Sequence, residues 1–232
     1  MRDAGLRRES GEYVCEGFKL YSEAEKYGEI TSVIIADRAA ERVVSDGAPV
    51  YSLPDELFDY VSGQTNAQGL LFSCKMQAGK LPSRLSGRYV LLDGISDPGN
   101  MGTIIRTADA FGIDGLILCG NCVDIYNPKA VRGAMGGLFR MPVYEAGYEE
   151  VLSLIDKSNI PFYRAHARKD SVPLRSVSLG NAVVAVGSEA TGISRELCGS
   201  KAVDLVIPMG GRAESLNAAV AASIVMWEMS KA

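Results

Sequence analysis

Hydrophobic residues in this chain fall into two alternating patterns. Runs of Val, Ile and Leu without polar alternation, at 89–92, 116–119, 182–186 and 205–207, are the mark of strands covered on both faces. Between them, residues 101–111, 130–137 and 149–157 carry apolar positions at helical spacing, and 162–163 add a short strand. The chain closes on an alanine-rich helix, starting at or just after Ser215, in which Leu216, Val220, Ile224 and Trp227 recur at helical spacing. This order predicts an α/β fold with a mostly parallel sheet and helices on both sides.

A smaller α/β series precedes it, with strands at 13–15, 32–36, 50–51 and 70–72 and helices at 18–27, 39–44 and 55–61. Leu6, Arg7 and Arg8 read as the tail of a helix whose beginning is not encoded. Arg2, Arg7 and Arg8 form a basic cluster, either a solvated helix end or a contact for RNA phosphates. Residues 75–88 mix Gly, Pro and Ser with Lys75, Lys80, Arg84 and Arg88 and lack apolar periodicity, which marks a linker. The expected division is a first domain over 1–76, a linker over 77–88 and a second domain over 89–232.

Composition narrows the function classes. At 47% hydrophobic and 22% charged over 232 residues, the chain reads as a soluble protein with a full core. No apolar run approaches the roughly 20 residues of a membrane span, and no apolar segment follows the first residues as in a signal peptide. A cytoplasmic location with no membrane partner is expected. Cys119 and Cys122 have metal-ligand spacing, but there is no second such pair and His166 is the only histidine, so no metal is expected. The net charge of −4 argues against indiscriminate binding to polyanions, though not against a local basic face.

Three glycine-bearing polar turns follow strands of the second series. The first runs from Asp93 through Asp97-Pro98-Gly99 and Asn100 to Arg106; the second is Gly187-Ser188-Glu189-Ala190-Thr191-Gly192; the third is Ile207-Pro208-Met209-Gly210-Gly211 leading to Ser215-Leu216-Asn217. In parallel sheets ligands lie outside the carboxyl ends of strands, so three such turns suggest one site. The chain has neither a G-x-G-x-x-G dinucleotide turn nor a phosphate loop, and no G-x-S-x-G elbow supports hydrolysis through His166.

Together these turns resemble, in order and spacing, the three signature motifs of the SpoU/TrmH class of SPOUT methyltransferases. Asn100 with Arg106-Thr107-Ala108 stands for the first, Gly187-x-Glu189-x-x-Gly192 for the second, and Ile207-Pro208-Met209 with Ser215-Leu216-Asn217 for the third. Asn127-Pro128-Lys129-Ala130-Val131-Arg132 resembles a connecting family segment, but Gly133-Ala134 follows where the family often has a small residue and a Ser. Residues 18–72 are similar, more weakly, to the ribosomal-protein-like substrate-binding domain found ahead of such enzymes. The resemblance implies a SPOUT α/β-knot domain with a C-terminal trefoil knot, acting as a homodimer with its site at the interface. It implies transfer of a methyl group from S-adenosylmethionine to a ribose 2′-hydroxyl of structured RNA, ribosomal RNA before transfer RNA. Arg106, Asn100, Glu189, Ser215 and Asn217 would form the reaction site, and Gly187, Ile207, Met209 and Leu216 would hold the cofactor.

A 2′-hydroxyl is a poor nucleophile and a sulfonium methyl is electrophilic, so such a site must align the two and stabilise developing negative charge. A guanidinium is too weak an acid to serve readily as a base, and Arg106 is expected to act through its charge. The final helix is expected to carry the dimer seam, with Ala222 and Val225 on it. The rival readings are a transfer RNA 2′-O-methyltransferase, an RNA-binding scaffold without catalysis and a small-molecule methyltransferase, the last disfavoured by the RNA-binding first domain.

Overall fold

The computed structural model describes residues 3–42, 47–62, 64–77 and 79–231. Arg2 and the end of the helix expected over 39–44 lie outside them. The chain opens with α1 (Ala4–Ser10), β1 (Glu12–Glu16), α2 (Phe18–Tyr27), β2 (Ile30–Ala36), β3 (Val50–Leu53), α3 (Asp55–Ser62) and β4 (Leu70–Lys75). These build a four-stranded sheet of order β1-β4-β2-β3, in which only β2 and β3 run parallel. Residues 37–42 form a 3-10 helix in place of the expected α-helix. Helix α1 has its own start: Asp3 caps it, accepting the Leu6 N–H at 3.1 Å, so its first turn is encoded after all.

The second series runs β5 (Arg88–Asp93), α4 (Pro98–Ala110), β6 (Gly115–Cys119), α5 (Pro128–Ala134), β7 (Val143–Glu145), α6 (Tyr148–Ser158), β8 (Phe162–Ala165), β9 (Val172–Pro173), β10 (Ala182–Gly187), α7 (Arg195–Cys198), β11 (Val203–Val206) and α8 (Ala218–Met229). Its seven strands are all parallel, in the order β7-β6-β5-β10-β8-β11-β9. The central strands are buried along nearly their whole length, as their unalternating apolar runs require. Helix α5 stops at Ala134 instead of running to 137, because Met135 and Gly136 both adopt left-handed backbone, with φ of 49° and 91°.

The segment between the sheets is no free tether. Gln77 exchanges two hydrogen bonds with the Tyr126 hydroxyl, its N–H donating at 2.9 Å and its carbonyl accepting at 3.0 Å. Leu85 is buried and its N–H donates to the Ser158 Oγ at 2.8 Å. A continuous apolar core crosses from one sheet to the other, with the Tyr13 ring 4.6 Å from that of Tyr126. Arg7, expected at the surface, is 2% exposed and bound to Asp124 of the second series. Arg140 likewise joins Asp109 at 2.7 Å and Glu23 of α2. Neither expectation for the basic cluster holds at Arg7: the side chain is part of the seam.

Helices α4 and α5 cross almost in backbone contact. A Cβ on Gly102 would lie 2.6 Å from the Ala130 carbonyl oxygen and 2.9 Å from the Gly133 Cα. Ala134, where relatives of the expected family often carry Ser, is 1% exposed inside this crossing, so its methyl serves packing. Gly102→Ala gains about 1 kcal/mol of helix propensity and loses more by forcing the helices apart. A net destabilisation of about 1–3 kcal/mol is expected, read as a lower urea midpoint; an unchanged midpoint would show that the crossing yields freely.

Candidate active site

The carboxyl ends of β5, β10 and β11 lead into the three turns singled out in the sequence, and side chains from all three regions meet. Pro98 opens α4 behind its cap Asp97, whose carboxylate accepts the Asn100 N–H at 2.8 Å and the Lys129 ammonium at 3.2 Å. The Asn100 N–H, with Lys129 adding to it, holds the Asp97 carboxyl below the usual carboxylate range. Asn217 caps α8, its Oδ1 accepting from Ala219 N–H at 3.0 Å and Val220 N–H at 3.2 Å.

Between these two helix starts stands Glu189. Its Oε1 accepts from the Asn100 side-chain amide at 3.1 Å, the Ala218 N–H at 2.9 Å and the Asn217 side-chain amide. Asn217 also donates to the Asn100 Oδ1 at 3.0 Å, which closes the triangle. A carboxylate at the first turn of α8 complements the free N–H groups there.

Two features aim the Glu189 loop. A Cβ on Gly187 would lie 2.2 Å from the Gly192 carbonyl oxygen, so only glycine lets the loop fold back over the strand end. Farther on, Asp93 is buried at the end of β5 and accepts the Ser194 N–H and the Tyr148 hydroxyl, each at 2.7 Å. Burial, and then this hydrogen bond, push the Tyr148 hydroxyl up to about 12. Sequence reasoning assigned Asp93 no role. The signal was a carboxylate ending an otherwise apolar strand.

Three of the five expected reaction residues, Asn100, Glu189 and Asn217, are thus brought together. Arg106 is exposed about 9 Å farther along α4 from Asn100, and it makes no hydrogen bond or ion pair among the described residues. Ser215 is exposed without a hydrogen bond in the loop before α8. Of the expected cofactor residues, Ile207, Leu216 and Gly187 are half-buried and Met209 is 41% exposed. Gly210 and Gly211 stand open, with nothing within 4 Å of where a Cβ would sit.

Helix α8 corrects one expectation outright. Ala222 and Val225 are fully buried against the chain's own core, whereas Val220 and Trp227 are 47% and 49% exposed. A helix that is apolar all round gives no periodic clue to which face turns inward. Ala218, Ala219 and Ala222 are buried where α8 packs on α4 and on β10, and their small side chains permit the close approach.

Comparison with known proteins gives a consistent picture. The family model of the SpoU rRNA Methylase family matches residues 87–227. The chain is 30% identical over 228 residues, 96% of its length and 90% of the relative's, to a 23S rRNA (guanosine(2553)-2'-O)-methyltransferase, RlmP, of Bacillus subtilis. Its fold is similar to that of an AdoMet-bound rRNA methyltransferase from Sinorhizobium meliloti, with a TM-score of 0.88 and 28% identity, covering 99% of this chain and 91% of the other. It is also similar to the SpoU methyltransferase AviRb of Streptomyces viridochromogenes in complex with AdoMet, with a TM-score of 0.85 and 26% identity over 99% and 93% of the two chains.

The triangle makes a testable demand on Asn217, which both caps α8 and donates its amide to Glu189 and Asn100. Asn217→Ala is expected to cost about 1 kcal/mol and lower the melting temperature. Asn217→Asp keeps a capping oxygen but sets a second carboxylate against Glu189, so it should be no more stable than the alanine variant near neutral pH. An aspartate variant as stable as the wild type would mean that the cap alone matters.

Proposed function

We propose, from the premise that this chain belongs to the SpoU rRNA methylase family, that it transfers a methyl group from S-adenosylmethionine to a ribose 2′-hydroxyl of ribosomal RNA. The observation that carries the proposal is the joining of Asn100, Glu189 and Asn217, three motif residues from distant parts of the chain, at the carboxyl edge of a parallel sheet. Ribosomal RNA is favoured over transfer RNA because relatives similar along both parts of the chain are named as rRNA enzymes.

The residues fit the cofactor. The 207–216 stretch that follows β11 offers open glycines, Gly210 and Gly211, beside half-buried Ile207 and Leu216. Such an edge suits a ligand that is part apolar and part hydrogen-bonding. When bound, S-adenosylmethionine supplies an electrophilic methyl on a sulfonium. Gly187, Ile207, Met209 and Leu216 are the residues proposed to hold it, in the threading of a knotted C-terminal segment.

Asn100 and Asn217 act as neutral hydrogen-bonders that fix geometry, and Glu189 locks them to the start of α8. Arg106, which no carboxylate among the described residues neutralises, grips the ribose-phosphate and stabilises negative charge developing on the 2′-oxygen. Ser215 faces the same solvent as the incoming RNA. The four-stranded unit, over 1–76 with residues 77–88 as the connection, serves as the RNA-binding part. The protein works in the cytoplasm.

A second copy of the chain covers the outer face of α8. Val220, Ile224 and Trp227, with Thr103 and Phe111, line an open apolar groove of about 280 Å³, and Arg106 lies on the same face of α4 as Thr103. A dimer formed there places the guanidinium at the joint. Val220→Asp is therefore expected to give monomers that have lost methyl transfer, by light scattering and transfer assay; a dimeric, active variant would exclude this face.

The role of Arg106 has its own test. Arg106→Ala should leave S-adenosylmethionine affinity near wild type while lowering turnover by about a hundredfold or more. Arg106→Lys keeps the charge but loses the planar fork, so little rescue is expected. Near-full activity of the lysine variant with a shifted pH profile would instead assign a general base to this position.

A further inference from the structure

A cleft of about 670 Å³ lies between the two units, and the reaction described above does not use it. Its floor is one face of the four-stranded sheet, including Val14 and Ile34, and its walls are the end of α3 and the outer side of α5, which presents Lys129 and Arg132. A neighbouring cavity of about 270 Å³ shares Glu16, Gln64 and Arg132 with it, so the two make one groove. Lys129 also reaches Asp97, the cap of α4 that binds the Asn100 N–H. One wall of the groove therefore ends beside the Asn100, Glu189 and Asn217 triangle.

The groove is chemically two-sided. Arg132 is exposed and makes no hydrogen bond or ion pair among the described residues. Opposite, Glu16 receives the Ser62 hydroxyl on Oε1 at 2.7 Å, which holds the carboxylate at the junction of the two cavities. The geometry points to a base-reading subsite: an unpaired guanine nucleotide flanking the methylated ribose sits here, its Watson–Crick edge on Glu16 and its phosphate along Arg132 and Lys129. This inference rests on the RNA methyltransferase reading of the neighbouring triangle.

Glu16 selects the base. A carboxylate only accepts hydrogen bonds, and its two oxygens suit a pair of adjacent donors. Guanine presents such a pair, N1–H and N2–H. Adenine and cytosine set a donor beside an acceptor, and uracil flanks its single donor with two acceptors. The Gln64 side chain, with no hydrogen bond of its own among the described residues, is free to donate to guanine O6. Val14 and Ile34 give the base an apolar floor.

The test uses the full chain and four probes, 5′-GMP, 5′-AMP, 5′-CMP and 5′-UMP, titrated by calorimetry at pH 7.5. GMP should bind about tenfold or more tightly than the others, the scale of one good bidentate base contact. Glu16→Gln keeps an acceptor for Ser62 but should erase the preference while leaving the melting temperature and S-adenosylmethionine binding unchanged. Arg132→Ala should weaken all four probes alike. Equal binding of the four, no binding of GMP, or a preference that survives Glu16→Gln would overturn the subsite. Methyl transfer to rRNA by the same wild-type preparation separates the two readings. Transfer without GMP preference sinks the subsite alone; GMP preference lost in Glu16→Gln, without transfer, keeps the subsite and sinks the reaction.

Discussion

One carboxylate oxygen holds the functional end of this molecule together. Glu189 Oε1 takes hydrogen bonds from the Asn100 amide, the Asn217 amide and the first free N–H of α8, so its loop joins two helix starts that meet only when the sheet is complete. Without it, the starts of α4 and α8 would each present unpaired donors at the same edge. With it, one acidic loop fixes the spacing of two helices, and the polar residues between them are set before any ligand arrives. Such preorganisation is what a reaction limited by alignment and charge most needs.

The loop can do this because the parts beneath it do not move freely. Asp93, buried at the end of β5, anchors the far side of the loop through Ser194 and Tyr148. Gly102 lets α4 lie against α5, which fixes the helix that carries both Asn100 and Arg106. Arg7 with Asp124, Arg140 with Asp109 and Glu23, and the Tyr13 and Tyr126 rings bind the small sheet to the large one. A cleft between units so joined has a defined width, as a site that reads an RNA nucleotide beside the reacting ribose must.

The sequence revealed the parallel sheet, because strands buried on both faces leave runs such as Tyr89 to Leu92 that little else explains. It also showed three polar, glycine-bearing turns after strand ends, within which the resemblance to family motifs singled out Asn100, Glu189 and Asn217. What it hid is as physical. Arg7 looked like a surface cation because its partner lies 117 residues away, beyond any local pattern. Helix α8 is apolar on every side, so its spacing could not say that Val220 and Trp227 face outward and Ala222 inward. The stretch over 77–88 read only as a linker, and its contacts stayed hidden because they run through backbone groups and single side chains, which leave no periodic trace. Arg106 and Ser215 were named from a motif, and their surroundings within one chain do not reveal what they do.

The most direct measurement of the central claim is made on RNA. Ribosomal RNA from a strain lacking this gene, incubated with the purified protein and S-adenosylmethionine, should gain a single methyl group on a ribose, seen by mass spectrometry of its nucleosides. A Glu189→Ala protein should leave the same RNA unmodified. A methyl group found on a base, or ribose methylation undiminished in the Glu189 variant, would contradict the account.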